Sequence, residues 1–437
     1  MDKILIWGYG VEGQSNLAYL QKKYPKSEFF VLTDEHQSSL CQAPDSLTLQ
    51  FNYLYGDQGL ARLADGEFNL IVKSPGISLY RPELQQALKK GSKLSSAINL
   101  WYADNPDAKT IIVTGTKGKS TTASLLNYLM AKAQLQSTIA GNIGVPILAT
   151  AAAPDYTIFE LSSYQLADLQ AQVDCFIVLN LYPEHIPWHG SEEQYYLDKL
   201  QPLLNQRIEH CILRADSKRL QQLASPLKVK RSEFNSVMGF HVTDGHLYFK
   251  NERLRHNFAL KGEHNLLNLA ACLTLLVELK VDWRPLLNQM QDFAALPHRM
   301  QERLADNGVL YVNDSISTTP DSCYCALQSY QDKKIHLILG GDERGLDYHL
   351  LLTQLAEFNI QSLSLIGTTG QRISEQLAKM PVNFNWCYRQ NLSNAMQYLK
   401  TQVKAGECVL LSPAAPSFDQ FKNYQARGDL FNQLIQD

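Results

Sequence analysis

Short apolar runs closed by glycine or proline alternate along this chain with stretches in which apolar residues return at helical spacing, so strands and helices are expected in turn. Lys3 to Trp7 predicts a first buried strand, followed by the turn Gly8-Tyr9-Gly10-Val11-Glu12-Gly13 and a helix-like segment to Tyr24. Glu28 to Leu32 predicts a second strand, and Phe68 to Val72 a third that runs into Ser74-Pro75-Gly76. The alternation resumes with apolar runs at 109–113, 156–161, 174–181 and 210–213, and again at 309–313, 334–340, 362–366 and 407–411. Such βαβ repetition implies parallel sheets with helices on both faces. Between 237 and 260 the runs shorten around turns such as Asp244-Gly245, which predicts a small antiparallel addition from 238–242, 247–249 and 256–260. A helix is expected from Asn265 to Lys280, and Pro297 marks a boundary. The expected fold is α/β in three domains: a Rossmann-like domain at 1–95, a central phosphate-loop parallel sheet with the antiparallel addition at 96–297, and a Rossmann-like α/β domain at 298–437.

Two glycine turns carry chemistry. Gly115-Thr116-Lys117-Gly118-Lys119-Ser120-Thr121 follows a buried-strand run and opens a helix, so its backbone N–H groups and the helix N-terminus face anionic oxygens. Lys119 adds a full positive charge, and the Ser120 hydroxyl is placed to hold Mg²⁺. Only Thr116 and Lys117 separate Gly115 from the Gly118-Lys119 pair, two residues fewer than in the common loop. The first turn, with Gly10, Gly13 and an acidic Asp34 about twenty residues on, fits a pyrophosphate-bearing nucleotide of either a cofactor or a substrate. A metal beside the loop needs oxygen ligands, and Glu160 ends a strand at the same sheet edge. His185 follows the next strand. His189 lies four residues further, but Pro187 breaks any helix between them and no further ligands cluster, so a zinc pair is rejected.

Composition narrows the partners. The 437 residues are 45% hydrophobic and 19% charged with net charge −3, which suits several folded domains and gives no sign of a nucleic-acid or membrane partner. Of eight cysteines only Cys323 and Cys325 lie close together, in no zinc or redox spacing, so reduced thiols in a cytoplasm are expected. No stretch reaches the roughly 18 apolar residues of a membrane span, and the first residues read as a strand rather than a signal peptide.

The phosphate loop, Gly141-Asn142-Ile143-Gly144, Glu160-Leu161-Ser162-Ser163-Tyr164-Gln165, His185, Gly262-Glu263-His264-Asn265 with Asn268, Pro297-His298-Arg299, Asn313-Asp314-Ser315 and Ser412-Pro413-Ala414 stand in the order found in the Mur ligases. The resemblance spans nearly the whole chain. Ser74-Pro75-Gly76 and the tail from Ser417 to Tyr424, followed by Arg427-Gly428, make it similar to the MurD type. That type adds glutamate to UDP-N-acetylmuramoyl-L-alanine in peptidoglycan synthesis through an acyl phosphate made with ATP and Mg²⁺. The resemblance implies that Gly115 to Thr121, with Asn268, Arg299 and Asp314, bind ATP. It places Gly10, Val11, Glu12, Gly13, Asp34, Ser74, Pro75, Gly76, Asn142, Gln165 and His185 around the UDP substrate. Lys119, Glu160, His185 and Lys199 become the catalytic set; Ser120, Glu160, His185 and a carbamylated Lys199 (N6-carboxylysine) become the metal set. A single chain acting on small molecules is expected.

Two departures concern the incoming amino acid. Ile316 stands where the MurD type carries a glutamate-binding lysine, and Arg344 replaces a second lysine with a group able to grip a carboxylate bidentately. Thr318, Ser417 and Tyr424 remain for glutamate. D-glutamate is the expected isomer, and L-glutamate the alternative that the rebuilt pocket leaves open. Lys117, in place of a common asparagine, adds charge beside the phosphates. A folylpolyglutamate synthetase-like ligase lacks the Rossmann-like first domain, and the full catalytic set argues against a non-catalytic nucleotide-binding module. The phosphate loop argues against a dehydrogenase.

Overall fold

The computed structural model describes residues 2–34, 50–142, 146–260, 262–293, 297–343 and 345–436, so Arg344 lies outside the described residues. Contacts divide the chain into two units, Met1–Phe293 and Ala294–Asp437.

The first unit opens with five parallel strands: β1 (Lys3–Trp7), β2 (Glu28–Thr33), β3 (Asn52–Tyr55), β4 (Leu70–Lys73) and β5 (Lys93–Ser95). Their order is β3-β2-β1-β4-β5, so the chain reverses direction across the sheet at β1. Open α/β sheets bind ligands at that switch point, outside the carboxyl ends of the strands. The turns after β1 and β4 meet there: the Ser74 amide donates to Trp7 O at 2.8 Å and the Ser74 hydroxyl to Gly8 O at 3.1 Å. Gly8 takes φ +91°, and a Cβ on Gly13 would lie 2.1 Å from Gly8 O, so the helix Val11–Lys23 closes on the turn only because Gly13 has no side chain. Gly10 N-caps that helix with open space where its Cβ would be.

The second sheet has six parallel strands: β6 (Thr110–Thr114), β7 (Ser137–Gly141), β8 (Tyr156–Glu160), β9 (Val173–Val178), β10 (Ile208–Arg214) and β11 (Lys230–Phe234), in the order β11-β10-β9-β6-β8-β7. Because β6 is central and covered on both faces, it reads as a continuous apolar run. Ile111 and Val113 pack into one core with the helices Lys119–Lys132 and Glu263–Glu278, while Ile112 packs on the other face with Phe159 and Phe176. The antiparallel addition is β12 (Phe240–Thr243), β13 (His246–Phe249) and β14 (Glu252–Arg253). The expected strand at 256–260 does not form; the third strand comes earlier, at β14, directly after the turn that follows β13.

The second unit is a mixed sheet of β15 (Gln301–Leu304), β16 (Leu310–Asn313), β17 (Ile335–Gly340), β18 (Ile360–Ile366), β19 (Asn385–Gln390) and β20 (Cys408–Leu411). Its order is β15-β16-β20-β17-β18-β19, parallel except for the antiparallel edge strand β15. The carboxyl ends of β16, β20 and β17 are therefore neighbours, and they carry the segments after Asn313, Leu411 and Gly340.

Candidate active site

The loop after β6 is built around two glycines in conformations that a side chain resists. Gly115 has φ +152°, and Gly118 N-caps the helix Lys119–Lys132 at φ +87°. A Cβ on Gly118 would lie 2.7 Å from the Asn268 amide oxygen, which puts buried Asn268 directly against the loop. Lys119 folds back so that its ammonium donates to Gly115 O and Thr116 O, both at 3.0 Å. Ser120 is buried beside it and Thr121 half-buried.

Residues that the sequence reading missed shape this loop. The Asn180 side chain accepts from the Lys117 amide at 2.8 Å and donates to Lys117 O at 2.9 Å. Glu184 takes the Lys117 ammonium at 2.9 Å, so the extra cation in the loop is met by its own carboxylate. Although burial opposes it, Lys117 holds the Glu184 carboxyl below its ordinary range. The Thr116 hydroxyl lies 2.8 Å from the Tyr195 hydroxyl and 3.1 Å from Tyr182 O. The presence of Lys117 in a phosphate loop was the signal that a nearby acid should answer it.

Glu160, Lys199 and His185 come to the same edge. Glu160 pairs with Val113 across β6 and β8 and is buried, with Oε2 lacking any hydrogen-bond partner. Lys199 ends the helix Glu192–Lys199, is buried, and donates to Gly115 O at 3.1 Å. Burial, helped by Lys119, pushes its amine well below the usual lysine range, which favours the free amine over the ammonium. Burial also lowers the His185 imidazole despite Glu184 alongside, leaving a neutral ring suited to metal ligation. Among the described residues no three His, Cys, Asp or Glu side chains form a metal cluster. A single buried carboxylate beside a phosphate loop fits Mg²⁺, which takes one or two carboxylates and completes its shell with water and substrate phosphates. Glu160 with its unused oxygen, Ser120 and His185 are the groups that would hold it.

His189, rejected as a zinc ligand, spends both ring nitrogens inside the protein. Nε2 lies 2.9 Å from the Ser163 hydroxyl and Nδ1 2.6 Å from Asp198 Oδ2. Asp198 Oδ1 also accepts from the Tyr80 hydroxyl at 2.6 Å and from Gln194 at 2.8 Å. The chain of bonds ties the segment after β4 to the helix that carries Lys199. A His189→Leu substitution strands a buried carboxylate oxygen and a hydroxyl, so a loss of about 3 kcal/mol is expected in urea unfolding. A loss under about 0.5 kcal/mol would show that the relay is not a structural tie.

At the first turn Asp34 is engaged within the protein: Arg81 donates to Oδ2 at 2.8 Å and the Trp7 indole approaches Oδ1 at 3.4 Å. Glu12 sits in the first turn of the helix Val11–Lys23. Gln165 is buried and its Oε1 accepts from the Ser162 amide in a capping box, leaving its NH₂ group for other partners. The Asn142 side chain is exposed, while its amide donates to Glu160 O at 3.0 Å. Trp188 reaches the glycine-proline turn by donating to Pro75 O at 3.1 Å.

In the second unit, Asp314 follows β16 and is buried; the Ser412 hydroxyl donates to its Oδ2 at 2.9 Å, and burial pushes its carboxyl up to about 7. Arg299 Nε and the Ser417 hydroxyl are buried without hydrogen-bond partners. Arg427, fully buried, donates to Ser315 Oγ and O and to the carbonyls of Ala415 and Pro416, pinning the segment after β20 to that after β16. Ser315 Oγ donates to Tyr424 O at 2.8 Å, and Thr318 is half-buried in the segment after β16.

A phosphate loop in a six-stranded parallel sheet, preceded by a pyrophosphate-type turn and flanked by a buried acid and a buried lysine, fits a nucleotide-dependent ligase rather than a dehydrogenase. Residues 2–96 match the MurD-like N-terminal domain of Mur ligases, 113–276 the Mur ligase middle domain and 298–415 the Mur ligase glutamate ligase domain. The chain is 36% identical, over 99% of its length and 94% of the relative's, to the UDP-N-acetylmuramoyl-L-alanine–L-glutamate ligase of Xanthomonas euvesicatoria. It is 33% identical, over 100% of its length and 97% of the relative's, to the protein of the same name from Salinispora tropica. In fold it is similar to the UDP-N-acetylmuramate–alanine ligase MurC of Thermotoga maritima, with TM-score 0.59, 16% identity, and 100% and 99% of the two chains covered. The chain belongs to the Mur ligase family and is an ATP-dependent, ADP-forming amide ligase. Among the described residues no helix is long and apolar enough to cross a membrane.

Proposed function

We propose that the enzyme joins glutamate to the alanyl carboxylate of UDP-N-acetylmuramoyl-L-alanine, as a single chain in the cytoplasm, and that the isomer it adds is L-glutamate. The observation that carries the reaction is the convergence of Lys119, Glu160, His185 and Lys199 on one short phosphate loop. Residues 1–95 are assigned to the UDP end of the substrate, 96–297 to ATP and 298–437 to the amino acid.

The substrate carboxylate attacks the γ-phosphorus, ADP leaves, the glutamate amine attacks the acyl carbonyl, and collapse of the tetrahedral adduct releases phosphate. Catalysis of such transfer is mostly positioning and charge neutralisation. Lys119 and the loop amides hold the β- and γ-phosphate oxygens. Mg²⁺ on Ser120, Glu160 and His185 would supply Lewis-acid charge to the transferring phosphoryl group. Lys199, buried and with its ammonium form disfavoured, is the amine that can take up CO₂ and become a carbamate, adding a second anion to the one that Glu160 brings to the metal set. Asn268, Arg299 and Asp314 are assigned to ATP. Gly10 to Gly13, Ser74 to Gly76, Asp34, Asn142, Gln165 and His185 are assigned to the UDP substrate. Thr318, Arg344, Ser417 and Tyr424 are assigned to glutamate.

The preference for the L isomer reverses the expectation drawn from sequence. It is supported by the names of the Xanthomonas and Salinispora relatives and by apolar Ile316 in place of the usual lysine. Purified enzyme with UDP-N-acetylmuramoyl-L-alanine, ATP, Mg²⁺ and either enantiomer is expected to release phosphate at least about tenfold faster with L-glutamate, the scale of one lost charged contact. Faster release with D-glutamate overturns the isomer; no release with either overturns the reaction.

A further inference from the structure

A second group of charges, apart from the metal set, lies under the first glycine turn. Lys73, the last residue of β4, is 1% exposed, and its ammonium stands 3.3 Å from Asp168 Oδ2, itself 4% exposed. Asp168 Oδ1 accepts from the Ser96 hydroxyl at 3.1 Å. The pair is close, yet Oδ2 makes no aligned hydrogen bond, which leaves bonding capacity unspent on the carboxylate. They line a cavity of about 10 Å³, room for one water, together with Glu12, Pro75, Tyr164 and Gln165. Trp188 covers the ammonium, with its ring centre 5.4 Å away.

Glu12 makes this cluster more than a structural ion pair. A carboxylate in the first turn of a helix is favourable by itself, but there it competes with any anion bound at the same N-terminus. Of the two buried charges Lys73 acts on Glu12 more strongly than Asp168 does, so removing the pair leaves ionised Glu12 without its offset beneath a turn assigned to a diphosphate. We propose that Lys73, anchored by Asp168, is a positioning residue for the nucleotide end of the substrate: it offsets Glu12 so that the glycine turn accepts a diphosphate. This rests on the assignment of that turn to the UDP substrate. Burial raises the Glu12 carboxyl to about 7, with Lys73 lowering it and Asp168 raising it further. A bound diphosphate favours protonated Glu12, so affinity falls as pH rises through that value.

The test uses the full chain and UDP as the probe in calorimetry, with KM values for UDP-N-acetylmuramoyl-L-alanine and ATP measured alongside. The variant Lys73→Met/Asp168→Asn removes both buried charges together and so avoids a lone buried carboxylate. It is expected to weaken UDP about tenfold and to raise the KM of the nucleotide-sugar substrate equally, with the KM for ATP unmoved. Adding Glu12→Gln to that variant is expected to restore most of the affinity and to flatten its fall between pH 6 and 8. An unchanged UDP affinity in the double variant, or no rescue by Glu12→Gln, overturns the proposal. If the unaltered protein does not bind UDP at all, the substrate assignment of the turn fails first and the proposal falls with it.

Discussion

Replacing Lys199 with alanine is expected to lower kcat by about a hundredfold to a thousandfold, the range seen when one preorganised charge is taken from a transition state. The geometry gives the reason. A buried lysine with its charge opposed by burial and by Lys119 is a poor cation but a good amine. Reaction with CO₂ turns R–NH₂ into R–NH–COO⁻ and releases a proton, which puts a negative charge at the metal set where the free amine had none. The amine fraction grows with pH, so carbamylation, and activity with it, is expected to rise with pH and to fall in CO₂-free buffer. The Lys199→Arg variant, which keeps a cation and cannot form the carbamate, is expected to be as inactive as the alanine variant. A ¹³C-bicarbonate label should give a carbamate signal in the unaltered enzyme that the Lys199→Ala variant lacks. Lys199 also donates to Gly115 O, so the rival role is to hold the loop as a plain amine. Full activity in CO₂-free buffer with no ¹³C signal would establish that rival.

Much of the fold was legible because the interior strands of each parallel sheet are covered on both faces and therefore read as continuous apolar runs. In the three larger sheets the strands that escaped are β3, β5, β7, β11, β15 and β19, and each is an edge of its sheet. Edge strands face water on one side and carry polar residues, as in Lys-Arg-Ser-Glu-Phe at β11 and Gln-Glu-Arg-Leu at β15. Their sequences look like loops. The phosphate loop was legible for a local reason, since glycine spacing and the strand before it are contiguous in sequence. Glu160 and His185 could be placed because each ends an interior strand or follows one. The relay from Tyr80 through Asp198 and His189 to Ser163 was not legible, because it joins residues up to 118 positions apart whose only sequence mark is being polar. The pairing of Lys73 with Asp168 was hidden likewise: a lysine ending an apolar strand reads as a strand terminus reaching solvent, yet here it is buried.

Glu160→Gln is expected to move activity and stability in opposite directions, and that opposition is the sharpest check on the metal set. Glu160 is held in place by pairing between β6 and β8 and by Gly141, where a Cβ would lie 2.2 Å from Glu160 O, so the backbone leaves the side chain little choice of position. Its Oε2 is buried with no donor to satisfy it. An unpaired buried carboxylate oxygen destabilises the folded state, and a neutral amide of the same shape costs less to bury. The substitution should therefore leave the protein as stable or more stable, by about 1 kcal/mol. The same change removes the one full negative charge that the unmodified metal set offers to Mg²⁺, so kcat is expected to drop by about a hundredfold or more. The Mg²⁺ concentration needed for half-maximal rate should rise with it. Thermal unfolding in the absence of ligands and a Mg²⁺ titration of phosphate release measure the two effects separately. A variant that loses both stability and activity would mean that Glu160 supports the strand end, while one that keeps its activity would remove it from the metal set altogether. A gain in stability at the expense of turnover is the signature of a group kept for function against the interest of the fold.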